Sequence, residues 1–168
     1  PGLRRRGSVE LLPKQMPALR LMTGIVSGLV GITPAAGFVD AGAAFFIGIT
    51  TPLICYFFVS FVKSRLGYDD SLDAFGCHGM GGVWGALMTG IFCTKAINDA
   101  GADGLLYGNP GQLIPQMTGI VTGIIVAVVM TTLIIKVLGS FMKVRATASE
   151  EAQGLDLIDH GERAYNKL

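Results

Sequence analysis

The chain has 168 residues, of which 51% are hydrophobic and only 15% are charged, whereas about a quarter of the residues in an ordinary soluble domain are charged. Asp, Glu, Lys and Arg are missing altogether from four stretches, residues 21–39, 41–62, 74–94 and 104–135. Because a helix of roughly 20 apolar residues crosses a bilayer, this pattern excludes a soluble single domain, a disordered chain and a nucleic-acid-binding module.

The four stretches predict an all-α integral membrane protein with transmembrane helices at about 21–39, 41–62, 74–94 and 113–135. We expect a transmembrane domain over 21–142, preceded by a basic segment, 1–20, and followed by a polar tail, 143–168. Every Lys and Arg except Lys95 falls on one side of a four-helix arrangement. Since basic residues collect on the cytoplasmic side of membrane proteins, both termini are predicted to be cytoplasmic.

The first apolar stretch contains a proline among glycines, in the sequence Gly31-Ile-Thr33-Pro34-Ala-Ala-Gly37. Proline removes a backbone donor and disrupts a helix, and interrupted membrane helices often mark transport sites. An ordinary kink or a helix end explains the same residues, and the sequence leaves both interpretations open.

Glycine is abundant, with 24 residues, and it recurs at helical spacing within the apolar stretches. Glycines four residues apart let membrane helices approach closely, so tight helix packing is expected at most of them. The clusters are Gly24, Gly28 and Gly31; Gly76, Gly79, Gly81, Gly82 and Gly85; and Gly119 and Gly123.

The three cysteines, Cys55, Cys77 and Cys93, all fall inside apolar stretches and show no metal-ligand spacing. Buried cysteine often acts as a small apolar packing residue, which is the role expected here. The sequence offers no nucleophile–base pair, no metal motif and no cofactor motif, and so no enzyme is predicted.

The third stretch contains His78, one of only two histidines in the chain. A full charge at membrane depth is costly, but histidine can stay neutral near pH 7 and then offers one donor and one acceptor. Such a group suits a small polar molecule that must shed its water, or a proton relay; a histidine bonded to a backbone carbonyl in the bundle is the structural alternative. Asp73, at the start of the same stretch, is predicted to be the helix N-cap.

The stretch from Asp73 to Phe92, which contains Phe-Gly-Cys-His78-Gly-Met-Gly-Gly, resembles the signature helix of the ammonium transporter family (the Amt/Mep/Rh group). Three further segments resemble parts of the same family in the same order. They are residues 28–38, similar to an earlier helix; 103–109, similar to a bacterial-type external loop; and 154–166, similar to the cytoplasmic tail.

The resemblance implies a plasma-membrane protein (inner membrane in a bacterium) that forms homotrimers, each protomer with its own pore for ammonium or ammonia. His78 matches the second of a pair of pore histidines. Val26 and Ala74 match apolar pore-lining positions, and Thr33 lies near the break in the first helix. Asp73, Gly76, Gly79 and Pro34 match structural positions of the signature segments.

The family's tail regulates the pore from the cytoplasmic side, and in bacteria a PII-type signalling protein docks on that face. The resemblance places Gly154, Asp156, His160 and Gly161 in this regulatory tail. Plant relatives carry a phosphorylated threonine in the tail where this chain has Ile158, so that switch is not expected here.

Family members typically have eleven helices in two inverted halves, whereas the resemblance here covers only the last four helices and the tail, and the basic segment 1–20 is unmatched. The first pore histidine, the external aromatic recruitment site and the phenylalanine gate lie outside it. We therefore expect a C-terminal piece of a transporter that does not conduct alone. The alternatives are a non-conducting fragment that associates with full-length protomers, and an unrelated four-helix membrane scaffold or enzyme.

Overall fold

The computed structural model describes residues 16–162, with side chains from residue 23 onward. Most of the predicted basic segment 1–20, and the last six residues of the tail, lie outside the described residues. The described chain is helical and contains no strand. Its α-helices are α1 (Met16–Ile32), α2 (Ala41–Phe57), α3 (Lys63–Leu66), α4 (Met80–Phe92), α5 (Leu113–Phe141), α6 (Ala148–Gln153) and α7 (Leu155–His160).

Two wide turns of π-helix interrupt the apolar helices. One, Phe58–Val62, joins α2 to α3, so that Ala41–Leu66 is one continuous helical rod; the other, Phe75–Gly79, leads directly into α4. A π turn is rare because it replaces the usual i→i+4 hydrogen bond by an i→i+5 bond. Hydropathy carries no signal for such a turn, and the sequence did not predict either one.

The proline of the first apolar stretch marks the end of a helix. Helix α1 stops at Ile32 and passes into a single 3-10 turn, Thr33–Ala35, followed by Gly37 with φ +80°. The predicted helix over 21–39 is therefore too long at its C-terminal end, because Pro34 cannot continue the α-helical hydrogen bonding. The segment is a helix end in the described chain, and its interpretation as part of a transport site stays a prediction.

Two helical rods among the described residues are long and apolar enough to cross a bilayer, Ala41–Leu66 and Pro110–Phe141. A third apolar segment, Thr23–Ala35, is shorter, and the rod that contains α4 is not among the helices that are long and apolar enough. The count of four spans consequently stays a prediction.

The chain divides into two compact units, one up to Val121 and the other from Thr122. The first unit contains α1 to α4 and the beginning of α5, and its buried core comprises Ala35, Val39, Ala43, Ile47 and Met88. The second unit contains the remainder of α5, together with α6 and α7.

Glycines bring the helices of the first unit into close contact. A Cβ atom built on Gly28 would lie 2.9 Å from the carbonyl oxygen of Gly48, and one built on Gly85 would overlap the carbonyl oxygen of Gly31. Tight packing is thus confirmed at Gly28, Gly31, Gly76, Gly81 and Gly85. It is not found at Gly24, Gly82, Gly119 or Gly123, where an added Cβ meets no described atom within 4 Å.

Candidate functional site

His78 lies in the π turn that precedes α4, and its side chain is exposed. Its ring makes no hydrogen bond to any residue of the described chain. The alternative of a histidine bonded to a backbone carbonyl is therefore wrong for residues 23–162. Within the described residues, neither ring nitrogen of His78 has a protein partner.

Val26 and His78 lie on the same side of the contact between α1 and the rod that contains α4. Ser27 and Cys77 meet in that contact, which continues at Gly31 and Gly85, so the two helices run parallel. Successive helical residues are rotated by about 100°. Val26 precedes Ser27 on its helix, whereas His78 follows Cys77 on the other, so the two side chains are rotated away from the contact in opposite senses. Because the helices are parallel and face each other, these opposite rotations bring Val26 and His78 to the same side of the contact.

Ala74 belongs to the same side, because residues four apart on a helix are neighbours and Ala74 precedes His78 by four. Val26 is 44% exposed, and Ala74 is also exposed. We call these three residues, Val26, Ala74 and His78, the histidine face. It presents one imidazole among apolar side chains.

Thr33 and Pro34 lie just after the C-terminal end of α1, whereas the π turn that carries His78 contacts α1 further back along the helix, at Ser27. Thr33 is exposed, and its Oγ1 donates to the carbonyl oxygen of Leu29 at 2.7 Å. That bond satisfies the hydroxyl within its own helix. Pro34 is exposed on the whole, although its Cδ atom borders Gly85.

The buried side of this contact holds two thiols and a hydroxyl. Ser27 is 1% exposed; its Oγ donates to the carbonyl oxygen of Thr23 at 2.7 Å and to Sγ of Cys77 at 3.6 Å. Cys55 in turn donates to the carbonyl oxygen of Cys77 at 3.6 Å. All three cysteines are free and buried, which confirms their predicted role in packing.

Asp73 occupies the predicted N-cap position, because its carbonyl oxygen accepts the backbone N–H of Cys77 at 2.9 Å, but its side chain does not cap the helix that carries His78. The side-chain acceptor is Asp70, whose two carboxylate oxygens accept the backbone N–H groups of Ala74 and Phe75, each at 2.9 Å. Asp73 instead adopts a left-handed backbone conformation, with φ +54°, and its carboxylate binds the ammonium of Lys63 at 2.5 Å. The cationic partner draws the Asp73 carboxylate away from the helix end. Sequence reasoning missed both Asp70 and Lys63.

A cavity of about 490 Å³ lies between α1, α2 and the π turn before α4. Its polar lining residues are Thr23, Ser27, Tyr56, Ser60 and Asp73. Among the predicted site residues only Asp73 lines it; His78, Val26, Ala74 and Thr33 do not. The structure thus separates the histidine face from this cavity. Gly76 is buried against Val59, while Gly79 is exposed.

The loop residues at the other end of the first unit form a separate polar network. The hydroxyl of Tyr107 donates to Oδ2 of Asp40 at 3.0 Å, and Asp40 caps α2 by accepting the backbone N–H of Ala43 at 2.8 Å. The Ala43 N–H and then the Tyr107 hydroxyl hold the pKa of Asp40 below its ordinary value. Asp103 accepts the hydroxyl of Thr94 at 3.1 Å in the same region.

The tail forms two short helices in the second unit. Thr147 and Glu150 make a reciprocal capping box at the start of α6, and the Lys143 ammonium binds Glu150 at 2.6 Å. Lys143 first, and then the Thr147 backbone N–H, lower the pKa of Glu150 to about 2.

The predicted tail residues flank or belong to α7. Gly154, with φ +102°, separates α6 from α7, and Gly161, with φ +68°, ends α7. Asp156 lies in the first turn of α7 and His160 in the last, where the His160 side chain is exposed. Both glycines adopt backbone angles that other residues rarely take.

Residues 7–165 match the family model described as the Ammonium Transporter Family. The chain belongs to the ammonium transporter family. The match begins within the segment 1–20, so the similarity reaches further toward the N-terminus than the sequence motifs indicated. Membership excludes the alternative of an unrelated four-helix scaffold or enzyme.

Curated members of the ammonium transporter family are similar over most of this chain. The ammonium transporter of Bacillus subtilis is 45% identical over 155 residues, which are 92% of this chain and 38% of the relative. The ammonium transporter of Aquifex aeolicus is 45% identical over 146 residues, which are 87% of this chain and 34% of the relative. The chain spans little more than a third of the length of these two relatives.

Solved structures of the same family share the fold. The crystal structure of Saccharomyces cerevisiae Mep2 matches with a TM-score of 0.69 and 36% identity, over 77% of this chain and 30% of that one. Candida albicans Mep2 matches with a TM-score of 0.69 and 32% identity, also over 77% of this chain and 30% of that one. The ammonium transporter family is membrane-embedded, in agreement with the two long apolar rods.

Proposed function

We propose that the chain carries part of an ammonium-conducting pore and that His78 is the polar group past which the substrate travels. The observation that carries the proposal is the histidine face. It combines an exposed imidazole that has no bond to the described chain with apolar neighbours on two parallel helices. The family and its named relatives supply the substrate class.

The chemistry of this face suits a neutral amine better than a cation. An ammonium ion that enters an apolar lumen loses its hydration at the pore mouth, at a cost of several kcal/mol, and this cost favours transfer of its proton to water near the histidine. Neutral ammonia then crosses beside Val26 and Ala74. A neutral His78 donates to it or accepts from it without carrying a charge into the membrane.

The family supports a wider assignment for the complete protein. We propose four spans in this segment with both termini in the cytoplasm, a location in the plasma membrane or bacterial inner membrane, and homotrimers. Thr33 and Pro34 would lie at the outer end of the first span. The tail residues Gly154, Asp156, His160 and Gly161 would regulate the pore, with a PII-type protein as their partner. The distribution of basic residues supports this orientation.

The decisive experiment grafts this chain into the Bacillus subtilis ammonium transporter in place of the segment that it matches. This graft, which we call the chimera, is expressed in cells that lack their own ammonium uptake, and the initial rate of labelled methylammonium uptake is measured. We expect uptake by the chimera and at least a tenfold loss in its His78→Ala variant. Ile97→Ala, in an exposed loop position, is the control and retains the parental rate.

Two outcomes would overturn the proposal. One is a chimera that reaches the membrane in normal amounts and transports nothing; the other is a His78→Ala chimera with unchanged uptake and unchanged rejection of potassium. Expression of this chain alone tests the remaining alternative. A chain that changes the uptake of co-expressed full-length protomers but conducts nothing itself is an associating fragment.

A further inference from the structure

Lys63 joins two segments at the base of the helix that carries His78. Its ammonium donates to Oδ1 of Asp73 and to the carbonyl oxygen of Asp70, both at 2.5 Å. Lys63 belongs to α3, at the end of the rod that begins with α2. One side chain therefore connects that rod to the start of the next.

Asp70 holds the first turn of the π-helix directly. The first N–H groups of a helix have no partner inside the helix, and the two Asp70 carboxylate oxygens accept those of Ala74 and Phe75. The negative charge also interacts favourably with the positive end of the helix dipole. Because Lys63 binds the backbone carbonyl of the same residue, it fixes the residue that provides the cap.

Two unfavourable backbone geometries coincide at this point. Asp73 is the one non-glycine residue with positive φ in the described part of the chain, and it is followed by the π turn, closed by the bond from the Met80 N–H to the Phe75 carbonyl oxygen. Such geometries persist where the surrounding structure holds them, and they cluster at functional sites. Lys63 and Asp70 provide that support here.

We propose that Lys63 is a positioning residue for His78. Through Asp73 and Asp70 it holds the π turn in the conformation that places Ala74 and His78 on one face. Lys63 itself is not part of that face. The consequence for transport rests on the proposed function, whereas the structural part of the inference does not.

The structural part is tested by hydrogen exchange on the whole chain in detergent or nanodiscs, followed by mass spectrometry of peptides. Lys63→Met is expected to speed exchange of the segment 74–79 at least tenfold and to leave the segment 81–92 within twofold of the parent. Lys63→Arg, which keeps the charge and the donors, restores slow exchange. Lys95→Met is the matched control, since Lys95 is exposed in a loop, and changes neither segment.

The functional part is tested in the chimera by the concentration dependence of methylammonium uptake. We expect Lys63→Met to lower the maximal rate at least fivefold with a KM within twofold, and Lys63→Arg to recover most of the rate. A purely structural role would lower the amount of folded protein and leave the rate per folded protomer unchanged. If Lys63→Met does not accumulate, Asp70→Asn, which removes one of the two cap acceptors, is expected to give an intermediate effect in both assays.

The outcomes separate this inference from the proposed function. Unchanged exchange and unchanged uptake in Lys63→Met, beside a loss of uptake in His78→Ala, would overturn the positioning role and leave the pore assignment standing. Faster exchange in Lys63→Met together with full uptake in His78→Ala would support the role of Lys63 in holding the π turn and would overturn the pore role of His78. Equal exchange and uptake in Lys63→Met and Lys63→Arg would also overturn the inference.

Discussion

Gly85 packs directly against the backbone carbonyl of Gly31, so closely that a Cβ on Gly85 would overlap that oxygen. At this point helices α1 and α4 therefore meet through backbone atoms, and the neighbouring face positions of Val26 and His78 depend on this contact. A carbonyl oxygen inside a helix cannot move aside as the end of a flexible side chain can.

Gly85→Ala is accordingly expected to lower the free energy of unfolding by about 1–3 kcal/mol, the usual range for overpacking of a close-packed site. Gly82→Ala is the matched control, because a Cβ there meets no described atom within 4 Å. That control should leave stability unchanged or raise it by up to about 1 kcal/mol, since alanine favours helix over glycine. Denaturant unfolding in detergent measures both; equal effects of the two substitutions would contradict the packing described.

Trp84 connects α4 to α2 through a hydrogen bond from its Nε1 to Oγ1 of Thr50, at 3.0 Å. Thr50→Val preserves the shape of the side chain but removes the acceptor, and should cost about 1 kcal/mol of stability. Because Trp84 is the only tryptophan, its fluorescence spectrum reports the change directly, and a blue shift is expected. The Thr118 hydroxyl donates only within α5, so Thr118→Val should leave the Trp84 fluorescence spectrum unchanged. A blue shift in both variants would show that the shift does not come from loss of the Trp84–Thr50 hydrogen bond.

Sequence reasoning found the helices but not the details that orient His78. Long uncharged stretches identify membrane helices because the bilayer sets a minimum apolar length, and glycine spacing indicated the contact at Gly31 and Gly85. The end of α1 at Ile32 and the two π turns depend on local hydrogen bonding that hydropathy does not report. The sequence places Asp73 at the start of this helix, but it does not show that Asp70 supplies the side-chain acceptors, because the Asp73 carboxylate binds Lys63, which comes from another helical rod.

Glu150 makes the tail sensitive to acid. Its pKa is lowered to about 2 from an ordinary 4.5, chiefly by Lys143. A group with a lowered folded-state pKa contributes stability that is fully present above its unfolded-state pKa and is lost as the pH falls through the folded-state value. Helix α6 should therefore weaken between about pH 4.5 and pH 2.

An NMR titration of the Glu150 carboxyl carbon measures this directly. Lys143→Met should move the midpoint upward toward the ordinary value of 4.5. Arg145→Met, which removes the basic partner of Glu151 rather than that of Glu150, should move it much less. A Glu150 midpoint near 4.5 in the parent chain would exclude the capping box and ion pair as described.

Tyr107 and Asp40 lie 67 positions apart in the sequence and are joined by one hydrogen bond. Tyr107→Phe removes that donor, so the pKa of Asp40 should rise, although it should stay below the ordinary value because the Ala43 N–H is the larger cause. Tyr56→Phe, in α2 and away from Asp40, is the control. If Tyr107→Phe leaves the Asp40 titration unchanged, the loop does not contact the start of α2.

The meeting of the His78 imidazole with the substrate can be observed by ¹⁵N NMR of the chimera in lipid bilayers, with His160 as the internal reference. We expect added ammonium to shift the ring-nitrogen signals of His78, to leave those of His160 in place, and to have an effect that an equal concentration of potassium does not reproduce. Signals of His78 that ignore ammonium, or that respond equally to potassium, would contradict it.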